Sequence, residues 1–240
     1  MTNVGKIKDP NEKGAGFLWG IVALLLIAAV VIGYIVWNGQ RHRADAVADV
    51  AFDITFNDGI VTLASPNAKP DAASVELFND FSCPHCADLA RDTSSDMKKA
   101  IENGDLIVNL RMLNFLDGQD ISNNEGHSTK SLAAVLPLAK AGDAKAFWNL
   151  HDKLLLDQQR VYNNWTAEDF ANQARTYGAS DEEVSAIKTG DLAEAQKIAQ
   201  ANYDYLEKAT GQVSTPRVLV DGKDIPDTEL ANWVAYVTNA

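Results

Sequence analysis

Cys83 and Cys86 are the only cysteines in this 240-residue chain, and they stand three apart in the run Cys83-Pro84-His85-Cys86. Residues three apart share one face of a helix, so two thiols at this spacing can close on each other with little backbone movement. Proline lacks an N–H and is favoured at the first helical position, which makes Pro84 the start of a helix and Cys83 its N-cap. There the Cys83 sulfur lies near the free N–H groups of His85 and Cys86, at the positive end of the helix dipole, and both favour thiolate over thiol. His85, protonated or donating a hydrogen bond, acts in the same direction. The pattern suits reversible disulfide exchange, with Cys83 as nucleophile and Cys86 as resolving partner. Asp80 and Asp88 oppose it, since a nearby carboxylate raises a thiolate's pKa; the helix end and His85, being closer, are expected to win.

The elements that must hold this motif follow from apolar spacing and turn residues. Strands are expected at Ile60–Leu63, at Ser74–Phe78 leading into the cysteines, and at Leu106–Met112. The cysteine helix runs to Asn103, with Leu89, Met97 and Ile101 as its stripe and Gly104 as its stop. A strand, helix, strand unit of this length implies parallel pairing and a right-handed crossover. From about 123 to 210 the pattern is helical throughout, with Thr166/Asp169 and Ser180/Glu183 at capping-box spacing and a long helix from Asp191 to Thr210. Arg217–Val220, a turn at Asp221-Gly222 and a short strand to Ile225 read as a hairpin, followed by a helix over Asp227–Thr238.

The apolar fraction of 46% with 22% charged residues is that of a globular chain with a sizeable core. Residues 1–43 carry Lys6, Lys8, Lys13, Arg41 and Arg43 against Asp9 and Glu12, a net of +3; the overall charge of −12 therefore leaves −15 on the rest. Such an acidic body argues against nucleic acid, whose binding rests on Lys and Arg neutralising phosphates. Residues Phe17 to Trp37 (FLWGIVALLLIAAVVIGYIVW) contain no charge and are long enough to span a bilayer, with Trp19, Tyr34 and Trp37 placed as interfacial anchors. A cleaved signal peptide is the alternative, with Ala44-Asp45-Ala46 and Ala46-Val47-Ala48 as small-residue cleavage sites, although the apolar run exceeds the usual length of one. The expected layout is a cytoplasmic tail (1–16), a transmembrane anchor (17–37), a polar stalk (38–58) and a body on the oxidising side of the cell membrane, where a lone cysteine pair makes most sense.

The order of parts resembles the DsbA family of thiol-disulfide oxidoreductases. The likeness rests on Cys83-Pro84-His85-Cys86 at the head of a helix after a strand, and on Ser214-Thr215-Pro216 before a hairpin and terminal helix. It covers about residues 60–239. It implies an α/β thioredoxin-like fold (59–122 and 211–240) interrupted by an all-helical subdomain (123–210), here behind one N-terminal transmembrane helix. It further implies that Pro216 is cis and beside the cysteines, leaving the Thr215 backbone open to pair with substrate, whereas Thr-Pro before a strand is ordinarily a trans turn. The implied activity is donation of the Cys83-Cys86 disulfide to reduced secreted or cell-envelope proteins. A DsbB-like or vitamin-K-epoxide-reductase-like membrane partner would then restore it; no cofactor is called for, and a monomer is expected. One departure concerns proton handling for Cys86: where the family often has a buried acid six residues before the first cysteine, this chain has Leu77, while Glu76 points to the other face, leaving Asp80 or water as the substitute.

Other readings compete with this one. A C-x-x-C is also half of a zinc site, but His42, His127 and His151 show no H-x3–5-H pairing, and His127 and His151 are expected to be surface or helix-packing residues rather than ligands. Tyr162, Trp165, Phe115 and Leu116 either rim a groove for unfolded substrates or fill the seam between helices and sheet, the latter being favoured. Asn164-Trp165-Thr166 fits a glycosylation acceptor, yet Thr166 is sufficiently explained as an N-cap. A membrane-tethered reductase on the same scaffold, or a non-catalytic peptide-binding or chaperone module, remains the functional alternative.

Overall fold

The computed structural model describes residues 15–45 and 47–239. Its first element is a helix, α1 (Ala15–Asp45), whose side chains are described from Trp19 to Tyr34 and are almost all exposed. Among the described residues no helix is long and apolar enough to cross a membrane. The side chains at the ends of the expected 17–37 span are not described, and the 1–14 part of the tail lies outside the described residues.

Residues 44–240 form one compact unit. Within it, β1 (Asp53–Asn57), β2 (Ile60–Ala64), β3 (Ala73–Asp80), β4 (Leu106–Leu113), β5 (Arg217–Val220) and β6 (Lys223–Asp224) make one sheet in the order β1-β2-β4-β3-β5-β6. The cysteine helix, α2 (Pro84–Glu102), crosses from β3 to β4, which pair in parallel from Ala73↔Leu106 to Asp80↔Leu113. Six further helices lie between β4 and β5: α3 (His127–Ala141), α4 (Ala144–Leu156), α5 (Gln158–Val161), α6 (Ala167–Thr176), α7 (Asp181–Thr189) and α8 (Leu192–Thr210). The chain closes with a 3₁₀ turn, Asp227–Asn232, and α9 (Trp233–Thr238), so the expected terminal helix is α-helical only in its second half.

Local chemistry explains most of these boundaries. Thr166 and Ser180 cap α6 and α7 through complete capping boxes with Asp169 and Glu183. Gly104, at φ +75, donates its N–H to the Ile101 carbonyl just past the end of α2, a left-handed stop that only glycine adopts freely. Val75 and Leu77 of β3 share the main core with Leu89, Met97 and Ile101 of α2. Phe78 joins Leu113, Leu219 and Leu206 of α8 in a second cluster. β3 is thus buried on both faces near its C-terminal end, which fixes the strand that delivers the cysteines.

The stalk expectation needs correction. Residues 53–57, inside the stretch read as a polar stalk over 38–58, form the edge strand β1, paired with β2 in register from Asp53↔Ala64 to Asn57↔Ile60. Phe52 and Ile54 are buried in the main core, and Phe52 meets Trp148 edge-on at 5.5 Å. The strand was hidden because it is short and only half-buried, with Asp53, Thr55 and Asn57 as its outward-facing residues. Ile54→Ala is therefore expected to cost about 2–5 kcal/mol of stability, as for other buried Ile truncations. Urea unfolding checks this; a loss too small to measure would return residue 54 to a stalk.

Candidate active site

The topology brings three segments to the C-terminal end of β3. The chain leaves β3 at Asp80, turns through 81–83 and enters α2 at Pro84 with Cys83 as N-cap. Because β5 runs antiparallel to β3, with Phe78 opposite Arg217, the residues just before β5 arrive at that same end. There the Thr215-Pro216 peptide is cis, and Cys83 Sγ lies 3.4 Å from the Thr215 carbonyl oxygen, to which the thiol donates. The 3₁₀ turn Phe115–Asp117 after β4 is the third segment.

Both cysteines are free thiols and largely covered, yet they are electrostatically opposite. The Cys83 pKa is lowered to about 5, chiefly because the Cys86 thiol donates to its sulfur, with further help from Thr215 and from the backbone N–H groups of Cys86 and His85, against burial. Cys86 is pushed well above the usual thiol value, first by burial and then by donating to Cys83. The helix end acts as expected. The His85 side chain does not: it is exposed, with Nδ1 3.9 Å from Asp88, and its share in holding Cys83 comes from its backbone N–H. The Thr215 hydroxyl has no hydrogen-bond partner by geometry, yet it is close enough to both sulfurs to lower each. It is best read as a donor free to turn toward the Cys83 thiolate once that charge forms.

The two opposing carboxylates are neutralised in different ways. Asp88 is exposed and held by Arg91. Asp80 is fully buried, and burial raises its pKa to about 7 despite hydrogen bonds from the Ser128 hydroxyl and the N–H groups of Ser82 and Leu116. Near neutrality it is thus about half protonated rather than a full negative charge beside Cys83. Leu77 is buried in the core.

Several residues of this site carried no signal in the sequence. Asp117 accepts from the Ser82 hydroxyl (3.2 Å), the Ser128 N–H (2.9 Å) and both N–H and hydroxyl of Thr129 (2.8 Å each). Gln158 of α5 donates to the carbonyls of Phe81 (2.7 Å) and Cys83 (3.0 Å). Their bonds to Phe81, Ser82 and Cys83 span 35 to 77 positions, beyond the reach of any local pattern. His127 and His151 pack as expected: burial lowers each to about 4, His127 meets Tyr162 edge-on, and His151 stacks on Phe147 with Nε2 2.9 Å from the Asn79 amide. Among the described residues no group of three or more His, Cys, Asp or Glu side chains could hold a metal ion. Of the four apolar rim candidates, Phe115 and Trp165 pack against the core clusters, while Leu116 and Tyr162 are each 44% exposed.

A protein-family model described as thioredoxin matches residues 65–239. MdbA, a thiol-disulfide oxidoreductase from Corynebacterium diphtheriae, has a solved structure that is 42% identical and superposes with a TM-score of 0.75, covering 82% of this chain and 98% of that one. This chain belongs to the DsbA family of thioredoxin-fold thiol-disulfide oxidoreductases. Reduced DsbA from Mycobacterium tuberculosis shares the fold at 22% identity, with a TM-score of 0.59 over 75% of this chain and 91% of that one. Serine/threonine-protein kinase PknE of Mycobacterium tuberculosis is 30% identical over 211 residues, which is 83% of this chain but 36% of that protein. The chain spans about a third of that relative, and the kinase activity in its name is not carried over.

For this DsbA-family site, Thr215→Val replaces the unpartnered hydroxyl by a methyl group of similar shape. The titration midpoint of Cys83 should rise by about one unit, the worth of one hydrogen bond to a charged group. The pH profile of iodoacetamide alkylation reads it, and an unchanged midpoint would mean that the hydroxyl never turns toward the thiolate.

Proposed function

We propose that the chain is a disulfide oxidase acting outside the cytoplasm, tethered to the cell membrane by residues 17–37, with Cys83 as the attacking and attacked sulfur. The observation that carries this is the asymmetry of the pair: Cys83 lowered to about 5, Cys86 well above the usual thiol value. Stabilising the Cys83 thiolate stabilises the reduced form, and a site whose reduced form is stable is a strong oxidant.

In the forward direction a substrate thiolate attacks Cys83 of the Cys83-Cys86 disulfide. The S–S bond breaks, a mixed disulfide forms through Cys83, and Cys86 leaves as a thiolate that takes up a proton because its pKa is high. A second substrate thiolate then attacks the substrate sulfur of the mixed disulfide and releases Cys83 as a thiolate. Two electrons pass from the substrate dithiol to the cysteine pair, and a membrane reoxidase of DsbB-like or vitamin-K-epoxide-reductase-like type would remove them. Thr215, beside Cys83, offers its backbone to an extended peptide, and the exposed Leu116 and Tyr162 add apolar surface. Reduced secreted or cell-envelope proteins are the substrates that fit such a surface, and a monomer suffices. The uncharged 17–37 segment and the exposed apolar side chains of α1 support the anchor.

The deciding experiment equilibrates residues 44–240 in glutathione buffers and reads the redox state by alkylation of Cys83. A potential well above that of the glutathione pool is expected; one near or below thioredoxin's would replace the oxidase by the tethered reductase. A pH series adds an independent check. Because the folded Cys83 pKa lies below its unfolded value of about 9, the thiolate's contribution is complete above pH 9, shrinks as pH falls and is gone below about 5. The excess thermal stability of the reduced over the oxidised form should shrink over that window, and a constant difference would mean that Cys83 is not the perturbed thiol.

A further inference from the structure

We propose that Gln158 is a positioning residue of the redox site, the side chain through which the helices between β4 and β5 hold Cys83 in register with the N-terminus of α2. The inference rests on the reading of Cys83 as the nucleophile.

The geometry is specific. Both protons of the Gln158 amide are used, one on the Phe81 carbonyl at 2.7 Å and one on the Cys83 carbonyl at 3.0 Å, and the side chain is buried. The two carbonyls flank Ser82, so the amide spans the whole turn between β3 and α2. The Cys83 carbonyl also accepts from the N–H groups of Cys86 (3.1 Å) and Ala87 (3.2 Å), which makes it the meeting point of the helix start and the Gln158 clamp.

The torsions show why this matters for the sulfur. Pro84 has its φ locked by its ring, so the soft rotation left between the Cα that bears Sγ and the first turn of α2 is ψ of Cys83, which stands at 116°. That same rotation aims the Cys83 carbonyl. Fixing the carbonyl therefore fixes the direction of the Cα–Cβ bond that carries Sγ relative to the backbone N–H groups of His85 and Cys86 that lower its pKa. Gln158 is itself anchored: it follows Asp157, which is paired with Lys153 at 3.0 Å and Arg160 at 3.2 Å, and it opens α5. The clamp thus passes the placement of the helical block on to a single torsion at the reactive cysteine.

The test uses the full chain in detergent. Gln158→Met keeps the length and removes both donors; Gln196→Ala, which loses an amide bond of 2.9 Å to the Asn124 carbonyl elsewhere, is the control. Cys83 alkylation is followed against pH, and the redox equilibrium is measured in glutathione buffers. In Gln158→Met the thiolate fraction at a pH below the midpoint should fall roughly tenfold, the loss expected when hydrogen-bonded positioning worth about one pKa unit is removed. The glutathione equilibrium should move by the same factor toward the protein disulfide, with Gln196→Ala at the wild-type values. Wild-type values in Gln158→Met, or an equal shift in Gln196→Ala, overturn the proposal. Should Gln158→Met fail to fold, Gln158→Asn, whose amide is one methylene too short to span both carbonyls, is read the same way. The wild-type titration tests the nucleophile reading separately, since a Cys83 midpoint near that of a free thiol would fail there and leave the comparison between variants intact.

Discussion

The open N-terminus of α2 is the constraint around which the redox site is built. The first turn of any helix leaves N–H groups without intrahelical partners, and such groups reward a negative charge placed beside them. Pro84 starts the helix without adding an orphan donor of its own, and puts the sulfur of Cys83 where the His85 and Cys86 donors can reach it. Everything else near the site either keeps the sulfur there or keeps rival charges away. Cys86, three residues on, meets the requirement from the other side. Its thiol, forced to stay protonated by burial, becomes the strongest single donor to Cys83. One helix start thereby produces two unlike thiols from identical side chains.

The carboxylates next to the motif show how burial can defuse a charge rather than amplify it. An ionised Asp80 at the end of β3 would work against the Cys83 thiolate. Its site is enclosed, and its hydrogen bonds from Ser82, Ser128 and Leu116 do not offset the loss of water, so the carboxyl holds its proton to about pH 7. Asp117, two hydroxyls away through Ser128 and Ser82, collects two backbone N–H groups and two hydroxyls. Its negative charge is a further reason for Asp80 to stay neutral. A glycine at 126 is required here, since a Cβ would lie 2.4 Å from the Asp117 carboxyl carbon. The pair of acids ties the 115–117 turn and the start of α3 to the redox loop.

What the sequence disclosed and what it hid divide along the range of the interaction. The cysteine motif, the α2 stripe, both capping boxes and the hairpin are signatures of a few residues, and the structure has them where the local chemistry put them. The cis Thr215-Pro216 peptide was implied by family likeness and by no pattern in the residues themselves. β1 was concealed by its polar outward face, its role decided by Phe52 and Ile54 meeting a core built mostly from later residues. Of the two ways His85 was expected to act, its backbone N–H does so, since it is one of the free donors of the first turn, while its ring points into solvent. Gln158 and Asp117 were out of reach altogether, because a glutamine or aspartate in a polar turn looks the same whether it faces water or, as here, carbonyls 75 and 77 positions away and a hydroxyl 35 away.

These long-range bonds alter what the helices between β4 and β5 are for. A block that merely covered the sheet would touch it through apolar side chains alone, the kind of contact Leu206 of α8 makes with Phe78 and Leu219. Instead the same stretch of chain sends polar groups to consecutive points of one loop: His151 to Asn79, Ser128 to Asp80 and Ser82, Gln158 to Phe81 and Cys83. Buried polar contacts of this kind are directional, and each is costly to leave unmade, so they specify one placement of the loop where apolar packing would tolerate several. The segment from the end of β3 at Asn79 to Cys83 is therefore defined less by its own sequence than by the helices that reach it. The electrostatics of Cys83, which depend on the orientation of a few N–H groups, inherit that definition.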